Sequence, residues 1–360
     1  MDKERDYRYD LLRTISCLCV IFIHTLGYLL DFPKNTTVFL IGNIIQTIVR
    51  IGLPMFVIIS GALILNSKEE QISKFYFKRF VKIIIPFIIY YLIYIFIDNN
   101  YDLATFYPRN LIHYLKVILI GPTHVHLWFV YMILGLYLCA PFLKKMCQNL
   151  SSKDIDNLFI LIIIISIIKD FIPYLGISIG INNIPFYGWA SYFLLGYILT
   201  NSSFISKHNK LFYILGIISF IFTIIDVRYN ILGLKNIYDL APTMMFMNIG
   251  AFTLVMHNKI KFNNLSKKML NFTSKYSWEV YLVHCIVISI INNIKNTYHI
   301  LIVNKIITHL IANILIIIIS YILAFIIHNL IIKYIQKLIY KIDILTFNIM
   351  KKNNGGKKYV

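Results

Sequence analysis

The residues with chemistry to offer stand in the first hydrophobic stretch. Arg13 and His24 are separated by ten residues. At about 3.6 residues per turn that step is roughly three turns with a remainder near 20°, so both project from one helix face. Asp10 lies one turn before Arg13 and joins the same stripe. A rise of ~1.5 Å per residue sets His24 roughly 16 Å beyond Arg13, at membrane depth if the stretch spans lipid. Ionisable groups at such depth face a bundle interior or a wet cavity and mark functional candidates; the competing reading is an imidazole satisfied by a neighbouring helix. His24 is the candidate base, because imidazole changes charge near neutral pH. The second hydrophobic stretch carries Arg50, then Gly52, Pro54 and Gly61. Returning from the far side, it sets Arg50 at a depth similar to His24, where the two can share one polar cavity; otherwise Arg50 snorkels to headgroups.

These positions need a membrane scaffold, and the composition predicts one. Of 360 residues, 58% are hydrophobic and only 14% charged, with a mean hydropathy of +0.71; a soluble chain carries about a quarter charged residues. The expected fold is an all-α integral membrane protein of about ten transmembrane helices, near 11–30, 43–65, 81–97, 127–143, 155–174, 186–201, 211–226, 240–257, 276–294 and 306–332. Most of the 35 Lys and Arg residues fall in one set of inter-helix connections and the C-terminal tail. That bias predicts both termini in the cytoplasm and an even number of spans. It also accounts for the net charge of +19 without a nucleic-acid partner. No loop is long enough for a separate soluble domain, so 1–345 reads as a single polytopic domain and 346–360 as a basic cytoplasmic tail. The five cysteines show no CxxC spacing, which argues against a zinc site or a disulfide framework. His124 and His126, with no nearby carboxylate, make a poor metal pair, and no metal is expected.

The third span opens on Lys78, Arg79 and Lys82. Arg79 and Lys82, three apart, would share a helix face and could hold a phosphate through charge-assisted bonds. The plainer reading is a positive flank touching anionic lipid. Further on, Tyr281 and His284 share a face near mid-membrane, while His126 and Trp128 sit at an outer boundary.

Taken together these segments resemble membrane-bound acyltransferase family 3, which includes O-acetyltransferases of bacterial surface polysaccharides. Arg13 and His24 resemble its R-x10-H motif. Leu53 to Gly61 looks like its second-helix PxFFxxSG element, and Arg79-Phe80-Val81-Lys82 like its RxxR motif with Lys in the second place. His126-Leu127-Trp128-Phe129 with Gly135, Tyr137 and Pro141 resembles the fourth-span region of its stand-alone branch. Ser277 to His284 resembles its late S-x-x-x-YLxH element. Lys82 lacks the bidentate fork of arginine. Glu279 is an acid where the family pattern is small or apolar, at a level where an ion pair with Arg13 is expected.

The resemblance implies an enzyme of the bacterial plasma membrane that moves an acetyl or other short acyl group from cytoplasmic acetyl-CoA to a hydroxyl of an envelope polysaccharide or its lipid-linked precursor. Lys78, Arg79 and Lys82 would meet the donor phosphates, with Arg13 guiding the donor inward. His24, Arg50 and Glu279 would serve the reaction, and His126, Trp128, Tyr281 and His284 the substrate. His24 could act as base or carry the acyl group itself. Many relatives bear an extra SGNH-hydrolase-like domain, so here transfer is expected within the membrane domain or by delivery to a partner. A polysaccharide exporter or solute transporter is the reading from another class, since buried charges also fit transport.

Overall fold

The computed structural model describes residues 5–100, 102, 107–175, 177, 186–232, 237–297 and 305–353. The described residues are helical throughout, with no strand. In chain order the helices are α1 (Tyr7–Leu26), α2 (Thr37–Val49), α3 (Gly52–Leu65), α4 (Ile72–Arg79), α5 (Ile85–Asp98), α6 (Pro108–Ile120), α7 (Trp128–Gln148), α8 (Ser152–Asp170), α9 (Trp189–Asn201), α10 (Ser203–Lys207), α11 (Asn209–Tyr229), α12 (Pro242–His257), α13 (Asn264–Thr297), α14 (Lys305–Ile327) and α15 (Lys333–Asn353). Of the expected basic tail, residues 354–360 lie outside the described residues.

Among the described residues, seven stretches are long and apolar enough to cross a membrane: Tyr7–Asp31, Thr37–Leu65, Ile72–Asp98, Val125–Gln148, Asn209–Tyr229, Asn264–Ile294 and Ile311–Asp343. The other three expected segments form α8, α9 and α12. Helix α8 carries Lys153, Asp154, Asp156, Lys169 and Asp170. Helices α9 and α12 have 13 and 16 residues, short of the ~20 that a bilayer core requires. Both are buried over most of their length, so they belong to the interior of the bundle. The exterior is apolar: Ile214, Ile217, Ile218 and Ile221 of α11 and Ile311, Ile314, Ile318 and Ile322 of α14 are all exposed, a helical-period stripe suited to lipid contact.

Prolines shape the two segments that deliver charge to the interior. The expected second span breaks at Arg50 and Ile51, between α2 and α3. Pro54 explains the place, because its ring collides with the carbonyl four residues back, that of Arg50. The third span contains a π-helical turn over Phe80–Ile84 between α4 and α5, where Pro86, four residues beyond Lys82, makes the same collision with the Lys82 carbonyl.

Small residues then let helices meet. A methyl group on Gly52 would lie 2.5 Å from Cys19 Cβ and 2.9 Å from the Ser16 carbonyl oxygen, so α3 crosses α1 at backbone contact. Gly61 of α3 and Gly196 of α9 make a second such crossing, each with the partner's backbone where a side chain would be. Helix α1 runs parallel to α13, with Asp10 beside Ser274 near the amino-terminal end and His24 beside His284 toward the other.

Candidate functional site

Helix α1 holds Arg13 and His24 toward opposite ends, and each opens onto a different cavity. The one farther from the amino-terminal end encloses about 440 Å³ and is lined by His24, Arg50, His126, Trp128, Asp239 and Tyr281, among others. The His24 ring is exposed to it. Three imidazoles meet here: His24 lies 5.2 Å from His284 and 6.3 Å from His126, and the latter two are 5.3 Å apart between ring centroids. His284 sits 2.6 Å from the Tyr281 carbonyl oxygen through Nδ1 and 3.3 Å from Cys285 Sγ through Nε2. His126 Nε2 is 3.0 Å from the Tyr94 hydroxyl. One donor atom each of His24, His284 and Cys285 falls within 4.8 Å of the others.

Arg50 reaches this cavity from the α2–α3 break. Its Nη1 stands 3.8 Å from Asp239 Oδ1 and its guanidinium 5.2 Å from the Tyr238 ring. Its Nε is a buried donor without an acceptor among the described residues. Trp128 packs on Trp189 with centroids 5.3 Å apart, at the same wall.

The second cavity, about 220 Å³, faces the amino-terminal end and is lined by Arg13, Ser60, Arg79, Tyr137, Lys275 and Trp278, among others. Arg13 donates to Ser274 Oγ at 3.3 Å. Arg79 lies over the rings of Phe75 and Tyr137, at 5.0 and 5.4 Å. Among the described residues no carboxylate pairs with Arg79. Arg79 Nε and Trp278 Nε1 are both buried donors without an acceptor. Native proteins satisfy nearly all such groups, and both donors border the same cationic hollow.

Tyr281 lines both cavities and is itself buried. Its hydroxyl donates to the His126 carbonyl, and its ring stacks on Trp278 at 5.6 Å with 12° between planes. One aromatic side chain therefore stands between the histidine cavity and the arginine cavity.

The geometry departs from the expected site in three places. Arg13 and Glu279 do not pair: Glu279 Oε1 meets His328 Nδ1 at 2.8 Å, on a π-helical turn over His328–Ile332. The acid of the α1 stripe, Asp10, is buried and occupied, accepting from Arg5 Nε at 2.7 Å and Ser274 Oγ at 2.6 Å. Glu279 lines neither cavity. Nor do Lys78, Arg79 and Lys82 act as one cluster. Lys78 is bonded to Glu70, and Lys82 is exposed because the π-turn widens the local pitch and turns it away from the face of Arg79. Arg5, Asp239, Lys275, Trp278 and His328 escaped sequence reading, although Lys275 and Trp278 lie on the α13 face that carries Tyr281.

No curated protein and no solved structure gives a significant match. A family model described as an acyltransferase domain matches residues 6–333, nearly the whole chain. Apolar helices around a polar centre are what a membrane acyltransferase requires, and the chain belongs to acyltransferase family 3.

Proposed function

We propose that the protein moves a short acyl group, acetyl in the simplest case, from acyl-CoA to a hydroxyl of a cell-envelope polysaccharide or its lipid-linked precursor. The observation that carries this reading is the pair of cavities of unlike chemistry separated by Tyr281. The arginine cavity suits the donor, entering from the amino-terminal end, which we take as cytoplasmic on the charge bias. Arg13, Arg79 and Lys275 offer cations to its phosphates, and the idle Nε of Arg79 and Nε1 of Trp278 offer donors to its oxygens. The histidine cavity suits the acceptor. Trp128 on Trp189 gives a flat face for a sugar ring, and Asp239 accepts from its hydroxyls.

In the reaction the carbon–sulfur bond of the thioester breaks and an ester carbon–oxygen bond forms. His24 takes the proton of the attacking hydroxyl and returns it to the leaving thiolate, so the base is regenerated. The idle Nε of Arg50 donates to the oxyanion of the tetrahedral intermediate. His284 and His126 wall the imidazole in, and Glu279 with His328 docks α13 against the segment after α14.

Mass spectrometry of envelope glycans with and without the gene tests the reading: an acyl increment should appear only with the gene. His24→Ala, with membrane insertion verified, should cut turnover about 100-fold or more, the scale of a lost general base. Retained acylation would remove His24 from the mechanism. Intact-mass measurement after exposure to acyl-CoA alone separates the two routes, since only a covalent carrier gains the acyl mass at His24.

A further inference from the structure

A third cavity, of about 620 Å³, opens at the amino-terminal end of the bundle where the start of α1 meets the 258–263 loop after α12. Arg5, Arg8, Lys259, Lys261 and Lys267 line it, and Asp6 is the one carboxylate on its wall. That carboxylate is occupied: Arg8 holds it through Nε at 2.9 Å and Nη2 at 2.7 Å, which keeps the Asp6 carboxyl below the usual range. Arg5 is committed to Asp10. Among the described residues Lys259, Lys261 and Lys267 have no carboxylate within ion-pair reach; Lys267 lies over the Tyr7 ring instead, at 5.6 Å. Tyr7 and Phe262, with centroids 6.2 Å apart, add aromatic surface beside them.

The cleft is coupled to the arginine cavity through one buried carboxylate. Arg5 lines the cleft and donates to Asp10; Asp10 accepts from Ser274; Ser274 and Arg13 line the arginine cavity. Along α1, Arg5 and Arg13 are about 12 Å apart at ~1.5 Å per residue. A nucleotide that carries a 3′-phosphate and a 5′-diphosphate on one ribose, with a slender arm leading on from the diphosphate, can meet long cationic side chains from two neighbouring hollows.

We propose that this cleft binds the adenosine 3′-phosphate end of the acyl-CoA donor, with Lys259, Lys261 and Lys267 meeting the 3′-phosphate and Tyr7 and Phe262 the base. The assignment rests on acyl-CoA being the donor. It gives Lys259 and Lys261 of the α12–α13 connection, and Lys267 in the first turn of α13, a role in donor selection separate from Arg79 and Arg13. A phosphate monoester offers a dianion to ammonium groups that, among the described residues, pair with no acid, and an aromatic edge suits a purine. An anionic lipid headgroup shares the phosphate chemistry but brings no base.

The test compares CoA with 3′-dephospho-CoA, binding each by titration calorimetry to the full chain in phosphatidylcholine nanodiscs. Wild-type protein should bind dephospho-CoA about tenfold more weakly, the size of one lost charge-assisted contact. The Lys259→Gln/Lys261→Gln/Lys267→Gln variant should bind both ligands alike, at the dephospho-CoA level, with an unchanged unfolding temperature. Equal binding by the wild type, or a preference that survives in the triple variant, overturns the cleft assignment and leaves the donor reading standing. Failure to bind either ligand overturns both. Repeating the titration in phosphatidylglycerol nanodiscs should leave the preference intact. Its disappearance there would assign the cleft to lipid headgroups instead.

Discussion

Arg79 is held between two aromatic faces rather than against a carboxylate, and that choice of partner has a consequence. An aromatic face fixes the guanidinium without neutralising it, contributing about 0.5–1 kcal/mol or more where it is desolvated. The full charge and the idle Nε stay available to a ligand. Arg79→Gln should therefore raise the KM for acyl-CoA about tenfold with kcat changed far less, because it removes donor binding rather than chemistry. Arg79→Lys keeps the charge but loses the planar fork and should fall between. A kinetic titration of acyl-CoA at saturating acceptor reads both. Some of this was legible in the sequence. The depth match of His24 and Arg50 follows from helix pitch alone, and Arg79 stood out as a basic residue at a span mouth. The pairing of Glu279 with His328 was not legible, since it joins positions 49 residues apart through tertiary docking that no local spacing encodes. Asp239 was equally silent, being a lone acid in a turn until the fold swings it to Arg50.

At the scale of the elements, breaks matter as much as helices. The interruption at Arg50 lets a charged side chain leave the helical surface and enter the cavity, and the π-turn after α4 sends Arg79 inward while Lys82 faces out. A straight-helix reading found the seven long apolar stretches among ten expected spans but put Arg79 and Lys82 on one face, because periodicity assumes a constant pitch that Pro86 disrupts. The crossing of α1 and α3 fixes how close Arg50 comes to His24. Gly52→Val should force that crossing apart and destabilise the protein by about 1–3 kcal/mol, the range for overpacking. Thermal unfolding in detergent measures it. Gly27→Ala is the control, since a methyl group there meets nothing within 4 Å, and it should shift stability by no more than about 0.5 kcal/mol.

For the molecule as a whole, the division into two chambers is the property that acyl transfer needs. Under the proposed function, water at the thioester would compete with the acceptor, so the arginine cavity should stay closed to the histidine cavity until the acceptor arrives. Tyr281 is the partition. Tyr281→Phe removes only the bond to the His126 carbonyl and should cost about 1 kcal/mol of stability, with the chambers still apart. Tyr281→Ala merges them, and acyl-CoA hydrolysis without acceptor should rise about tenfold, a loss of barrier near 1.4 kcal/mol. Free thiol release from purified protein reports it, and an unchanged rate would show that another group makes the seal.

Asp10 has a reach beyond its own helix. Among the described residues it is the acid that touches both Arg5, ahead of the first helix turn, and Ser274, the residue that receives Arg13. Removing residues up to Arg5 would leave the lining of the arginine cavity in place yet leave a buried carboxylate with Ser274 as its remaining described partner, one turn from Arg13. The Arg13 guanidinium, now bonded to Ser274, would be drawn toward it, and the arginine cavity would lose a cation to a cut made outside its walls.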